Sequence, residues 1–243
     1  MSTNDRSYRW RLSALFCCAL LYLIPPTQQT QQKGVPMNHQ HIHWLGHATF
    51  RIEDGATQIY IDPWKLPPNC PKADVIFITH AHYDHFSPED IAKIAKQGTA
   101  FFAPKDVAYQ IKGTVIAVTP GENYNLGELK VKTIPAYNIG KQFHPKQSNW
   151  VGYIIALSTG QKIYHSGDTD FTPEMKTVVT DFALLPIGGT YTMTAKEAAE
   201  AANVFKPQAV IPMHWGDIVG SQKDAEEFKK LFTGKTIIKS PER

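Results

Sequence analysis

The chain has 243 residues, of which 42% are hydrophobic and 19% charged, and this composition excludes a disordered, collagenous or coiled-coil protein. Its formal net charge of +3 resides in residues 1–36, because residues 37–243 carry equal numbers of basic and acidic side chains. A neutral body disfavours non-specific nucleic-acid binding. Its single cysteine, Cys70, excludes a disulfide framework and a thiolate-rich zinc site.

The N-terminal segment, residues 1–36, has the layout of a secretory signal peptide or a short membrane anchor followed by a Gln-rich linker. Three arginines precede an apolar run over residues 12–24, and two prolines follow it. This run is shorter than the roughly 20 residues that cross a bilayer comfortably. Two interpretations stay open. The protein is exported or anchored, with membrane association through residues 12–24, or it is cytoplasmic and its translation starts at Met37.

Residues 37–243 read as one domain of alternating strands and helices. Segments 41–50 and 58–62 flank the turn signal Glu53-Asp54-Gly55 and predict a hairpin. A buried strand is predicted over 74–79, and Ser87 and Pro88 predict the start of a helix that runs to about Lys96.

The later elements continue this alternation. Thr194 opens a capping box for a helix that Pro207 ends. Further strands are predicted over 114–119, 129–134, 150–157, 162–164, 182–187, 209–212 and 236–239, with a last helix over 222–232. Two β-rich halves with helices outside them predict a four-layer α/β sandwich.

The densest group of reactive side chains follows the predicted strand 74–79. His80, His82, Asp84 and His85 lie within six residues on a turn. Burying several such groups unpaired costs multiple kcal/mol, whereas a metal ion compensates by coordination. The spacing lets His80 and His82 converge on one ion while Asp84 and His85 turn toward another, as in a two-metal hydrolytic centre. A histidine-rich surface turn is the alternative.

The string Thr79-His80-Ala81-His82-Tyr83-Asp84-His85 resembles the signature motif of the metallo-β-lactamase superfamily. The resemblance implies a single αββα domain with the site where its two sheets meet. It also implies roles for three more residues, namely a structural brace at Asp62, a carboxylate that bridges two ions at Asp168, and a ligand of the second ion at His214. Segments 45–50 and 185–193 resemble the branch of ascorbate-6-phosphate lactonases and N-acyl-phosphatidylethanolamine phospholipase D-like enzymes.

One position departs from the superfamily pattern. Members usually supply a third histidine to the first ion from the middle of the chain, where this sequence has Asn138. We hypothesise that the loop folds back so that His144 takes this place; a carbonyl oxygen of Asn138 or a water is the alternative.

His165 either contacts a ligand or the substrate or is a satisfied buried histidine. His47 either lines the pocket or packs structurally.

These residues predict a chemistry. Nitrogen and oxygen ligands without thiolates suit Zn²⁺, with Mn²⁺, Fe²⁺ and Ni²⁺ as alternatives. A hydroxide shared by two divalent ions is the predicted nucleophile, and Asp84 orients it or carries its proton. The predicted function is hydrolysis of a small ester, lactone or phosphoester, with no nucleic-acid partner. Phosphodiesterase or nuclease activity, β-lactam hydrolysis and metal binding without catalysis are the alternatives.

Overall fold

The computed structural model describes residues 38–242, so the predicted leader over residues 1–36 lies outside the described residues. These residues form a six-stranded and a seven-stranded sheet. In the first sheet, three antiparallel strands are continued by parallel ones, in chain order. Its strands are β1 (Ile42–Gly46), β2 (Thr49–Asp54), β3 (Thr57–Ile61), β4 (Val75–Phe77), β5 (Ala100–Pro104) and β6 (Thr114–Val118).

The second sheet repeats this plan with its strands again in chain order. Its first four strands pair antiparallel. The fourth strand then pairs parallel with the fifth, and the sixth and seventh continue in parallel. They are β7 (Asn123–Leu126), β8 (Leu129–Pro135), β9 (Val151–Ala156), β10 (Lys162–His165), β11 (Phe182–Pro186), β12 (Ala209–Met213) and β13 (Lys235–Thr236).

Each sheet has helices on its outer face. Helices α1 (Pro88–Ile94) and α2 (Lys105–Ala108) pack on the first sheet, and α3 (Ala195–Phe205) and α4 (Gln222–Leu231) pack on the second. Short 3-10 turns lie at Lys146–Ser148 and Glu174–Thr177.

The inner faces of the two sheets bury a shared apolar core. The rings of Phe77 and Tyr153 lie 4.9 Å apart across it, and the Tyr153 hydroxyl donates to the carbonyl oxygen of Ile78 at 2.7 Å. The predicted four-layer αββα sandwich is confirmed.

The sequence signals for helix ends hold in the structure. The Ser87 side chain accepts a hydrogen bond from the backbone of Asp90, and Thr194 and Glu197 form the predicted capping box. Such caps satisfy backbone donors that the first helical turn leaves unpaired. No helix within residues 38–242 is both long and apolar enough to span a bilayer.

The hairpin predicted around Glu53-Asp54-Gly55 is formed by β2 and β3, whose strands pair antiparallel, but segment 41–50 is not one continuous strand. The chain turns at Gly46 and His47, whose φ angles are 105° and 51°, so that β1 ends and β2 begins within the predicted strand. Strands β5 and β7 and helix α2 were not predicted from the sequence. The apolar run of β5 is only five residues long, so periodicity does not identify it.

The topology determines where the site lies. Because β3 and β4 are parallel, as are β10, β11 and β12, their carboxyl ends meet at one edge of each sheet. Asp62, His80, Asp168 and His214 follow such strand ends within three residues. Ligand sites of open α/β sheets form at these ends of the strands.

Candidate metal centre

The turn between β4 and α1 divides its side chains between two groups. The atoms that could bind a metal lie within 4.8 Å of one another in each group. The first group is His80, His82 and His144, and the second is His47, Asp84, His85 and His214. His80 and His85 also form a third such group with Asp62, so the division of the motif between two ions stays a prediction.

The Asp168 carboxylate lies between the two groups. Its Oδ2 is 4.0 Å from His80 Nε2 and 3.5 Å from His144 Nε2 in the first group, and 3.1 Å from His214 Nε2 in the second. Its Oδ1 is 3.3 Å from His85 Nε2. One carboxylate therefore faces both histidine groups, which is the placement that the resemblance implies for a bridging ligand.

The donor atoms of this site fit divalent cations. The Nε2 atoms of His80, His85 and His214 are buried, as is Asp168 Oδ1, and none has a hydrogen-bond partner of acceptable geometry within residues 38–242. Buried polar atoms normally have partners, since an unsatisfied one costs about 1–3 kcal/mol. Converging nitrogen and oxygen atoms without partners are the donor set of zinc and related metals.

Asp62 braces histidines of both groups from behind. Its Oδ2 accepts from His85 Nδ1 at 2.7 Å and from the Thr79 hydroxyl at 2.6 Å, and its Oδ1 accepts from the Thr79 backbone at 2.7 Å. Since the hydroxyl donates to Asp62, it accepts from His80 Nδ1, 2.9 Å away. Both imidazoles thus carry a proton on Nδ1 and direct Nε2 toward the site.

The loop after β8 brings His144 into the first group. The backbone of Asn138 donates to the His144 carbonyl oxygen at 2.8 Å, and the Asn138 amide donates to the carbonyl oxygens of Phe143 and Tyr191. The side chain of Asn138 thus fixes the loop that carries His144. Whether His144 or Asn138 completes the first site stays a prediction, and the geometry places the imidazole with His80 and His82.

His47 lies behind Asp84. Its Nε2 donates to Asp84 Oδ2 at 3.0 Å, and its ring lies 3.8 Å from that of His214. It does not line the cavity described below. His165 is buried with both ring nitrogens engaged by backbone, as Nε2 donates to the Ala48 carbonyl oxygen and Nδ1 accepts from Gly167. It holds the turn before Asp168 and offers no free nitrogen.

Burial and neighbouring charges decide which groups carry protons. Burial lowers the pKa of His47 and of His144 to about 4, so both are neutral near pH 7. Burial opposes ionisation of Asp84, but the hydrogen bond from His47 lowers the pKa of that carboxyl to about 2. Burial also disfavours the charged form of His85, yet Asp168 and Asp62 raise its pKa well above the usual range.

A cavity of about 210 Å³ opens onto this site. Asp84 and Asp168 line it, so the predicted catalytic carboxylate faces the space that a substrate would enter. The remaining lining residues are His82, Tyr83, Phe143, His144, Tyr191, His214 and Ile218.

Two further residues contribute to the site, and sequence reasoning missed the role of the first. Thr79 links Asp62 to His80, and only its position next to the first motif histidine could have indicated this. The Trp150 ring lies within 5.4 Å of the rings of His80, His82 and His144 and forms a wall behind the first group.

Comparison with known proteins identifies the family. The family described as "Beta-lactamase superfamily domain" matches residues 41–214. A UPF0173 metal-dependent hydrolase of Thermococcus onnurineus is 39% identical over 81% of this chain and 94% of its own, and one of Pyrococcus furiosus is 37% identical over 82% and 96%. The solved structure of Igni18, a metallo hydrolase of Ignicoccus hospitalis, has a TM-score of 0.68 at 26% identity, over 82% of this chain and 94% of that one. The chain belongs to the beta-lactamase superfamily.

Proposed function

We propose that this chain, a metal-dependent hydrolase of the beta-lactamase superfamily, works with two divalent cations, preferably zinc, and cleaves a small ester, lactone or phosphoester. The position of Asp168 carries the proposal, because its oxygens lie 3.1 to 4.0 Å from imidazole nitrogens of both groups. The narrower resemblance to lactonases and phospholipase D-like enzymes stays a prediction.

The two groups would each hold one cation, with Asp168 shared between them. His80, His82 and His144 would hold the first cation, and Asp84, His85 and His214 the second. His47 would act through Asp84, since its Nε2 already donates to that carboxylate. All of these donors are nitrogen or oxygen, which suits zinc and excludes no common first-row metal.

When bound, the cations would polarise the oxygen of the scissile group and lower the pKa of a water to about 7. The chain supplies the proton transfer. Asp84 lines the cavity, and His47 fixes its Oδ2 at 3.0 Å, which leaves Oδ1 to accept a proton from the attacking water. The pKa of about 2 keeps Asp84 ionised for this step. The same oxygen then returns the proton to the leaving group.

The test combines metal analysis with turnover. Protein purified without chelators is expected to contain about two transition ions per chain. A screen with lactones, bis-p-nitrophenyl phosphate and nitrocefin is expected to show turnover that chelation abolishes and zinc restores. Asp84→Ala should remove it, whereas Asp54→Ala, a carboxylate that binds Ser158 on a distant hairpin, should not. Absence of any transition ion, or full turnover by Asp84→Ala, would refute the proposal.

The screen also separates the alternatives. Preference for the phosphodiester or for nitrocefin would indicate phosphodiesterase or β-lactam hydrolysis. No turnover by protein that holds two ions would indicate metal binding alone. We also propose export or anchoring through residues 12–24; N-terminal mass spectrometry of the native protein tests this, and a mature start at Met37 would contradict it.

A further inference from the structure

The mouth of the cavity is formed by exposed apolar side chains. Tyr83, Phe143 and Ile218 line it with exposed fractions of 67%, 43% and 48%. Single exposed apolar residues are normal on a protein surface, but several around one cavity that also contains reactive groups indicate a binding site. These three residues are called the apolar rim below.

Ile218 is held in the rim by a strained turn. Its φ of 67° is left-handed, a conformation in which a β-branched residue is a genuine outlier. The turn is closed by hydrogen bonds from Gly216 to the Val219 carbonyl oxygen and from Val219 to that of Asp217. Lys65 Nζ contacts both carboxylate oxygens of Asp217 at 3.0 and 2.9 Å. Strain that the surrounding structure maintains at a site is a signature of function.

The aromatic members of the rim pack against neighbouring rings. Phe143 meets Tyr191 edge to face at 5.4 Å, and Tyr83 meets Trp64 in the same way at 6.0 Å. Edge-to-face pairs of this kind are favourable packing arrangements. The rim therefore presents ordered apolar walls on the side of Tyr191 and on the side of Trp64.

The cavity has no cationic side chain to receive an anionic group of the substrate. No lysine or arginine of residues 38–242 lines it. The two lysines of the 137–149 segment already bind carboxylates, Lys141 at Asp170 and Lys146 at Glu174. Asp84 and Asp168 also line it, but in the proposed function their charge is neutralised by the cations that they hold. A negative group on the substrate away from the reacting bond would instead lie against the apolar rim and be left without a partner.

We propose, on the basis of the proposed function, that the substrate is a neutral carboxylic ester or lactone with a compact apolar acyl group that packs on the apolar rim. The volume of about 210 Å³ suits this size, since an apolar cavity of about 150 Å³ holds benzene. In the reaction, a water oxygen bonds to the acyl carbon, the acyl C–O bond breaks, and the leaving oxygen takes the proton that Asp84 received from the water.

The experiment compares esters that share one leaving group. The zinc-loaded protein is assayed with 4-nitrophenyl acetate, butyrate and hemisuccinate. Each buried methylene is worth about fourfold, so the butyrate should exceed the acetate about tenfold in kcat/KM at a partly exposed rim. The hemisuccinate, which adds a carboxylate, should fall at least tenfold below the butyrate.

Ile218→Asn and Ile139→Asn test the rim directly. Asparagine accepts left-handed backbone, so Ile218→Asn should fold while losing the apolar contact. It should reduce the preference for butyrate over acetate from about tenfold to about twofold. Ile139 is 59% exposed in the same loop as Phe143 but does not line the cavity, so Ile139→Asn should leave the preference unchanged.

A binding measurement separates failure of this inference from failure of the proposed function. N-phenylbutyramide and N-phenylsuccinamic acid, amides that resist hydrolysis, are titrated calorimetrically into the protein. The neutral amide should bind at least tenfold more tightly, and Ile218→Asn should abolish most of that difference, even if no ester is turned over. Equal binding of the two amides, or a preference for the hemisuccinate or for a phosphodiester, would overturn the inference and leave hydrolysis itself untouched.

Discussion

Replacement of Asp62 by asparagine should weaken both metal groups at once. In the wild type, Asp62 Oδ2 accepts hydrogen bonds from His85 Nδ1 and from the Thr79 hydroxyl. An asparagine that keeps its oxygen on the Thr79 backbone places an NH₂ group against both of these donors. His85 must then move its proton to Nε2. The Thr79 hydroxyl must turn to accept from the amide and donate to His80, which moves the proton of His80 to Nε2 as well.

The magnitude follows from the two altered tautomers. Each histidine would present an N–H to the metal in place of a lone pair. Loss of an outer partner of a ligating histidine typically costs 10- to 100-fold in metal affinity, about 1.4–2.7 kcal/mol per site. The substitution also leaves a fully buried site with mismatched donors, which should lower the free energy of unfolding by about 1–3 kcal/mol.

Two measurements check this reasoning. Zinc competition against a chromogenic chelator gives the affinity of each site, and ¹⁵N NMR of the imidazoles reports their tautomers. Asp90→Asn is the matched control, because Asp90 is also buried and accepts from the backbones of Lys65 and Leu66 but touches no imidazole. It should lose stability without losing zinc. Zinc affinities of Asp62→Asn within threefold of the wild type, in folded protein, would refute the reasoning.

Three further perturbations test other parts of the site. His144→Ala should reduce the zinc content from two ions per chain to about one, and the control His39→Ala should leave it unchanged. Metal analysis of the purified variants measures this content. Gly188→Ala should lower zinc affinity at least tenfold in the same competition assay, because a Cβ there would lie 2.5 Å from the His214 carbonyl oxygen. The chelated protein should lose a few kcal/mol of stability in urea titrations as the pH falls from 6.5 to 4, since the folded-state pKa values of His47 and His144 are about 4 and the unfolded chain takes up protons first.

Each of these has a result that would contradict it. An unchanged zinc content in His144→Ala would leave Asn138 or a water as the third partner of the first group. Wild-type zinc affinity in Gly188→Ala would mean that His214 moves without consequence for binding. The free energy of unfolding of the chelated protein would contradict the third prediction if it did not change between pH 6.5 and 4. It would also contradict it if His47→Gln left the pH dependence as steep as in the wild type. Either result would show that the folded state does not require neutral imidazoles.

Much of the fold could be predicted because its signals are local. Ser87 and Thr194 begin helices through hydrogen bonds to residues three positions away, and the hairpin around Gly160 needs only its own turn. The unpredicted elements depend on distant partners. The short run of β5 becomes a strand because β4 and β6 pair with it on both sides. Its five residues carry no period that separates strand from buried helix.

In the site, too, local patterns could be predicted from the sequence and contacts between distant positions could not. The motif from His80 to His85 is contiguous, so its chemistry could be predicted from spacing. The partner of Asp84 could not, because His47 lies 37 positions earlier and meets it only after two strands have formed. The contact between Lys65 and Asp217 spans 152 positions, and no local pattern indicates it.

Backbone strain explains why sequence propensity fails at this site in particular. Four non-glycine residues of the centre, His47, Asp62, His144 and His214, have φ angles between 47° and 61°, a region that costs an L-residue about 1–2 kcal/mol. Each is fixed by backbone bonds, such as that from His214 to the His47 carbonyl oxygen at 2.9 Å. A strand that simply continued would alternate its side chains between the two faces of the sheet. At Asp62 and His214, which directly follow β3 and β12, the left-handed residue breaks this alternation, and the carboxylate or ring turns toward the site. Charged and polar groups are retained in such a buried place only if they face one another or a cation.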